Sequence, residues 1–549
     1  MIILYAIWVR YDSNEQHQEE LIPAVDANGT VILVPNPVQD DVTATYGYFR
    51  DVNIMIFFGF GFLMTFLRRY GYSALGYTFI ISAMVAQWSV LVFGFFETVY
   101  DSPSVFHDTF YFDITTLLNG LFCAGAVMIS YGAILGKITP LQLLIMGIVE
   151  PMFYFLNMFI GEMHLKAIDV GGGMYIHLFG CYFGLTVSWF LTNKKGKESP
   201  NNAPSYNGDL FAMAGTLFLW MMWPSFNAAI APAGDAQFRA IANTFISLTG
   251  STIATFIVSR LLGYMGHKLD MVHVQNSTLA GGVVQGCVAH LNINPGAAIA
   301  MGFIAGTVSV LGYVKLTPFI SNKLNIHDTC GINNLHGMPG FIGSVAAIIA
   351  AAHGINNKDL YFGDDYDNIF RVGDSQAKHN AAATFITIGI AIVGGIITGI
   401  FMKLVSNIGK LATDEYYSDH AFWHVASDYP KSLADDPEAG GNQNVEMESH
   451  SGADIISTSS SKKSKKSQRS PSYKRDLIRI LETLVREESR NNYSDSDSDS
   501  ESDNQNEEEP RRHRNRKNRQ PQQQQQPNNN TPNTTTTPNQ SNDTITNIQ

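Results

Sequence analysis

Eleven apolar runs, each about long enough to cross a bilayer's hydrocarbon, fill the chain between residues 52 and 408. They fall at about 52–67, 74–96, 113–136, 140–160, 170–192, 209–231, 240–264, 271–290, 295–318, 330–353 and 381–408. A crossing helix needs roughly 20 residues. In hydrocarbon every backbone N–H and C=O must be satisfied inside the segment, so such runs fold as helices. An apolar stub, Met1–Val9, is a further candidate, the end of a first helix that lacks its start or a short interfacial piece. The expectation is an all-α fold, a polytopic membrane helical bundle of about 11–12 transmembrane helices.

Composition agrees. Only 15% of the residues are Asp, Glu, Lys or Arg, against roughly 25% in an ordinary globular protein. The four cysteines, Cys123, Cys181, Cys287 and Cys330, lie in or beside apolar runs without CxxC spacing. That pattern predicts neither a disulfide framework nor a metal site. No cleavable signal peptide is expected, because Met1–Val9 lacks a basic flank and a small-residue cleavage site.

Basic residues orient the runs, because cytoplasmic connections carry excess Lys and Arg. Arg68 and Arg69, Lys137, Lys194 with Lys195 and Lys197, His267 with Lys268, and Lys323 occupy alternate connections. The others, 11–51, 97–112, 161–169 and 354–380, are acidic or mixed. The consistent assignment puts both termini in the cytoplasm and makes 11–51 an extracellular loop. Asn28 opens an Asn28-Gly29-Thr30 sequon there, a glycosylation candidate. The chain divides into a transmembrane domain, 1–410, and a cytoplasmic C-terminal tail, 411–549.

One pattern occurs twice. Asp169-Val-Gly-Gly172-Gly-Met-Tyr-Ile-His177 reads D-x2-G-x4-H, and Asp328-Thr-Cys-Gly331-Ile-Asn-Asn-Leu-His336 reads the same. The first copy starts its helix outside and the second starts from the cytoplasm, as an inverted internal repeat requires. Eight α-helical residues rise about 12 Å, which puts each histidine near the middle of a core roughly 30 Å thick. Desolvation penalises the charged imidazole, so two neutral rings facing each other could share a proton and offer one acceptor nitrogen to a passing N–H donor. The plainer reading is two separately packed histidines bonded to neighbouring carbonyls; the repeat argues against it.

Asp169 and Asp328 fit helix N-caps first and cation recruitment at a pore mouth second. Gly171 to Gly173 and Gly331 fit close helix contact. Trp223-Pro-Ser-Phe226-Asn227 interrupts one run with a proline, which frees a carbonyl and bends a helix. Phe122 and Phe226 read on their own as packing. Asp270-Met-Val-His273-Val-Gln275-Asn276-Ser-Thr278 reads as capping and interhelical bonding rather than as a second site.

The chain resembles the Rh glycoproteins of the ammonium transporter/Rh family. The resemblance rests on Leu217 to Asn227, Lys268 to Gly282 and Asp328 to Gly337, with Val9-Arg-Tyr-Asp12 and Phe422-Trp423, and it spans residues 1 to about 430. It implies a homotrimer with one narrow ammonia pore per subunit. It further implies that His177 and His336 are twin pore histidines and that Phe122 and Phe226 form a stacked phenylalanine gate. Asp169 would be a structural acid below the outer vestibule. The ammonium-transporter branch carries a serine four residues after the second gate phenylalanine; Ile230 stands there, beside the pore-adjacent Asn227, which weakens a tight ammonium site. The short first helix and the long tail depart from the usual Rh pattern.

The tail has the composition of disorder, with a Ser/Lys stretch at 457–470, a Ser/Asp run at 494–503, a basic run at 511–519 and a Gln tract at 522–526. Lys474 to Arg490 carries one apolar helical stripe, a candidate amphipathic helix for a cytoskeletal or regulatory partner, another subunit or the membrane surface. No nucleic-acid partner is expected of the basic run. The functional expectation is an ammonia or ammonium channel embedded in membrane lipid, at the plasma membrane or an intracellular vacuolar membrane. It needs no cofactor and contains no catalytic centre. The alternatives are a channel for CO2 or another small neutral gas and a non-conducting membrane scaffold.

Overall fold

A computed structural model describes residues 1–11, 21–25, 31–35, 41–101, 109–262, 268–354, 369–406 and 410–431. Asn28, the stretch Lys474 to Arg490 and the rest of the tail lie outside them.

Nine helices are long and apolar enough to span among the described residues: α1 Ala44–Phe66, α2 Gly71–Val99, α3 Ile114–Ile134, α4 Pro140–His164, α5 Gly173–Leu191, α7 Asp235–Leu262, α10 Pro295–Lys323, α11 Asn333–Gly354 and α12 Gly373–Val405. Two further runs are helical but more polar: α6 Tyr206–Ala228, and a broken crossing made of α8 Met271–Ser277 and α9 Ala280–Gln285. All eleven apolar runs are therefore helical. The histidine-bearing α5 and α11 are the fifth and tenth crossings, so they run in opposite directions, as the inverted repeat predicts.

The stub forms one short helix, Ile2–Trp8. The chain then extends into β1, Val9–Tyr11, and pairs in parallel with β4, Phe110–Phe112. Strands β2 Leu21–Val25 and β3 Val31–Pro35 form a hairpin.

Capping fixes several helix starts. Thr139 and Gln142 make a reciprocal capping box at α4, with Pro140 in its first turn. Asp113 accepts Thr116 N–H at 2.7 Å in front of α3. Asp270 does the same for Val272 at α8, and Gln275, Ser277 and Thr278 bond to neighbouring elements or their own helix as the sequence suggested. Helix α6 corrects the expected interruption, because it continues through Pro224 and ends four residues later. A proline in a membrane helix is tolerated where neighbouring groups re-satisfy the freed backbone.

The two repeat corners share one geometry. Gly172 and Gly331, the common glycines of D-x2-G-x4-H, have φ of +64° and +74°. Both sit in the left-handed region, where a side chain is strained. A Cβ on Gly331 would lie 2.3 Å from the Tyr313 ring, and one on Gly172 would lie 2.3 Å from Ile176. The shared glycine is therefore a backbone corner first and a close contact second. Beyond each corner the helix begins with a π turn, Gly173–Leu178 in α5 and Asn333–Gly337 in α11, and each turn contains its histidine. In α5 the His177 N–H reaches the Gly172 carbonyl, five residues back, at 3.0 Å.

The packed body runs past 410, into the stretch expected to open the tail. Tyr417 is fully buried, and its N–H bonds the Gly136 carbonyl at 2.9 Å. The Asp419 carboxylate caps α2 through Tyr72 N–H at 2.9 Å and Ser73 N–H at 2.8 Å. Trp423 Nε1 donates to Ser73 Oγ at 3.0 Å.

Each corner glycine should tolerate alanine poorly. Gly172→Ala and Gly331→Ala are expected to cost about 1–3 kcal/mol each from backbone strain. A melting series in detergent checks this, with Gly389→Ala, which has open space around its Cβ position, as the neutral control.

Candidate functional site

The two corners aim the histidines at each other. His177 and His336 are buried, and their Nδ1 atoms lie 3.1 Å apart. The rings are nearly parallel, with centroids 5.2 Å apart and planes inclined by 15°. A contact this short needs one N–H and one lone pair, so a single proton occupies the space between the two Nδ1 atoms. The separately packed alternative does not hold.

Aromatic rings surround the pair. Trp223 stacks on His177 with centroids 5.6 Å apart, and Phe226 stands 5.8 Å from the same ring. Phe60 stacks on His336 from the other side at 6.3 Å. His177 Nε2 is buried and has no protein partner. An unpaired buried nitrogen is costly unless something transient uses it.

Phe122 and Phe226 meet with centroids 4.9 Å apart at an interplanar angle of 70°. This edge-to-face arrangement replaces the stacked gate implied by the resemblance. An edge-to-face pair sets the positive ring edge on the negative face.

A cavity of about 200 Å³ opens on the Asp169 side, lined by Phe122, Tyr154, Glu162, Asp169, Ile230 and Arg371 among others. A smaller cavity of about 20 Å³ lies on the Asp328 side, against Phe60, Met64, Met128, Asn276 and His336. A chain of ring contacts joins the two: Phe122 to Phe226, Phe226 to His177, and His177 to His336.

The two acids act on backbone. Asp169 accepts the N–H groups of Met174 at 3.0 Å and Tyr175 at 2.7 Å. Asp328 accepts those of Gly331, Ile332 and Asn333, each at 3.0 Å. Burial pushes both carboxyls above the ordinary aspartate range, while these N–H bonds pull the other way. The cap reading fits this geometry better than cation recruitment does.

Asn227 lines neither cavity. Its amide donates to Thr244 Oγ1 at 2.9 Å and to the Gly282 carbonyl at 3.0 Å, tying α6 to α7 and α9. Ile230 stands at the rim of the larger cavity as an apolar group.

Phe60, which faces His336, went unremarked in the sequence; Trp223 figured there only in the proline-interrupted segment and Asn276 only in the polar start of α8, without their places beside the histidines and the smaller cavity. Phe60 carries no signal beyond its position in an apolar run. Sequence reasoning also missed Glu162, His290 and Arg371, which bring polar and charged groups to the larger cavity from three different parts of the chain.

Residues 38–429 match the Ammonium Transporter Family. The chain is 61% identical over 505 residues to Rhesus-like glycoprotein B of Dictyostelium discoideum, covering 90% of this chain and 83% of that protein. It is 41% identical over 445 residues to the dog (Canis lupus familiaris) ammonium transporter Rh type C, covering 80% of this chain and 94% of the relative. The solved structure of Nitrosomonas europaea Rh50, from work on conduction by the Rhesus protein family of channels, aligns with a TM-score of 0.62. It shares 28% identity, over 74% of this chain and 99% of that one. The chain therefore belongs to the Ammonium Transporter Family as an Rh member, an integral multi-pass membrane transporter and not an enzyme.

Proposed function

We propose that this ammonia/ammonium channel passes neutral NH3 along the ring-lined path between the two cavities, with His177 and His336 as the pore histidines. The observation that carries the reading is the 3.1 Å contact between their Nδ1 atoms. It leaves His177 Nε2 unpartnered, buried beside the Phe226 ring. An ammonia molecule crossing there finds a hydrogen-bond partner among mainly aromatic rings.

The same wall disfavours the ion. A charge at the bilayer centre is costly unless a partner or water meets it. The ring contacts around the histidines are with Trp223, Phe226 and Phe60. Ammonium therefore releases its proton to water on the side of the larger cavity, NH3 passes Phe122 and Phe226, and beyond His336 it takes up another proton from water on the far side. Glu162 and Arg371 bring an acidic and a basic side chain to that larger cavity. Asp169 and Asp328 hold the corners, and Ile230 leaves the mouth without the hydroxyl a tight ion site would use.

CO2 is small enough for the same path, but it has no N–H or O–H to donate, so the histidine pair would be idle for it. A scaffold role would leave the facing histidines without a use. Exposed apolar side chains on the outward faces, such as Phe79, Ile253 and Phe385, suit lipid and neighbouring copies in a homotrimer. With the orientation read from the basic connections, the larger cavity faces outside.

In proteoliposomes under an imposed ammonium gradient, the internal pH should rise faster than in empty vesicles. His177→Ala and His336→Ala should each slow that rise about tenfold, equivalent to about 1.4 kcal/mol on the barrier. Equal rates in empty and wild-type vesicles would end the channel reading.

A further inference from the structure

The connection after α3 contains a buried lysine that the pore path does not explain. Lys137 follows Gly136, whose φ is +74°, and is only 6% exposed. Its Nζ donates to the Ala133 carbonyl at 2.7 Å, to Ser188 Oγ at 3.1 Å and, at short range, to the His327 carbonyl. The Ser188 hydroxyl donates to that same His327 carbonyl at 2.7 Å. Among the described residues no carboxylate comes within ion-pair distance of this nitrogen.

The three acceptors belong to three different elements. Ala133 is in the last turn of α3. Ser188 is in α5, the helix that carries His177. His327 immediately precedes Asp328, which caps α11 and so the turn that carries His336. The strand of chain between them is also docked on α3, with Thr329 N–H on the Ala133 carbonyl at 3.3 Å and Cys330 N–H on the Gly132 carbonyl at 3.2 Å.

A lysine in this region could simply complement the negative end of a helix, a contact worth about 0.3–1 kcal/mol at an exposed site. Burial without a carboxylate is not needed for that role and is costly. We propose that Lys137 is a positioning residue for the pore, fixing the His327–Asp328 corner against α5 so that the two histidines keep their contact distance. The proposal rests on the channel reading above.

The protonation state of the lock follows from its donors. An ammonium has three N–H groups for three oxygens, and a neutral amine has two. Burial lowers Lys137 to about 7, with Asp328 opposing the shift. His327, whose Nδ1 stands 3.4 Å from Nζ, is itself held well below the usual histidine range by burial and by Lys137 and Lys197. Tyr417 faces the same ring, with its hydroxyl 3.4 Å from Nδ1. Asn202 closes the other side, 3.3 Å from Nε2. The lock is complete when the pH on the Asp328 side is below about 7, and it loses one bond as the pH rises through that value.

The test uses the full chain in liposomes, with the pH on the Asp328 side set to about 6, 7 and 8, bracketing the neutral point. NH3 flux is corrected for empty vesicles at each pH. Wild-type flux should fall across this range. Lys137→Met should cut flux about fivefold at the lowest pH and flatten the profile. Thr387→Val, which removes a distant α12–α4 hydrogen bond to Asn157, is the control for general destabilisation and should keep the wild-type profile. If Lys137→Met does not fold, Ser188→Ala carries the test, because it removes the link to α5 and keeps the lysine; it should lower flux and reduce the pH dependence. Wild-type flux and profile in the variant that folds would overturn the proposal. So would a loss that scales with melting temperature while the profile keeps its shape. Failure of the channel reading would appear separately, as no protein-dependent flux in wild type.

Discussion

The proposed path depends on one short contact, the 3.1 Å approach of two buried imidazole nitrogens. It requires two helices of opposite direction to present a ring at the same depth and in the same plane, within the tolerance of a hydrogen bond. Each helix meets that demand in the same way. An aspartate caps it, a left-handed glycine three residues later turns the chain, and a π turn carries the histidine. Such turns are uncommon and concentrate at functional sites.

The two histidines and the two acids stood out in the sequence for a physical reason, whereas Phe122 and Phe226 read there as packing and were singled out only by the resemblance. D-x2-G-x4-H is costly to bury, so two copies of opposite sidedness stand out from a background of Phe, Ile and Leu. The apolar runs were legible because bilayer thickness dictates their length. The π turns were not legible, because one extra residue in a turn leaves no mark on composition or periodicity. Proline 224 misled for a related reason: whether a helix ends at a proline depends on the neighbours that meet the freed carbonyl, and those come from distant parts of the chain. Phe60 was indistinguishable from other aromatics in apolar runs, and Trp223 was marked only by the proline beside it, until the fold set them against the histidine rings.

Lys137 illustrates the limit of reading charge. In the sequence it is one of the basic residues that orient the chain, which suggests a solvated anchor. In the fold it is buried, and its donors join α3, α5 and the corner before α11. The same residue can satisfy both demands because the connection it sits in is short and the Tyr417 segment covers it, with Tyr417 N–H on the neighbouring Gly136 carbonyl. The two roles separate only once that covering segment, beyond residue 410, is placed.

On the proposed path, the species crossing the histidine pair is uncharged. Current from wild-type proteoliposomes adsorbed on a solid-supported membrane, recorded during an ammonium jump alongside an internal pH dye, tests it directly. Passage of neutral NH3 should give a dye response faster than in empty vesicles, with no protein-dependent current. A sustained current that scales with ammonium and disappears in the His177→Ala variant would contradict it.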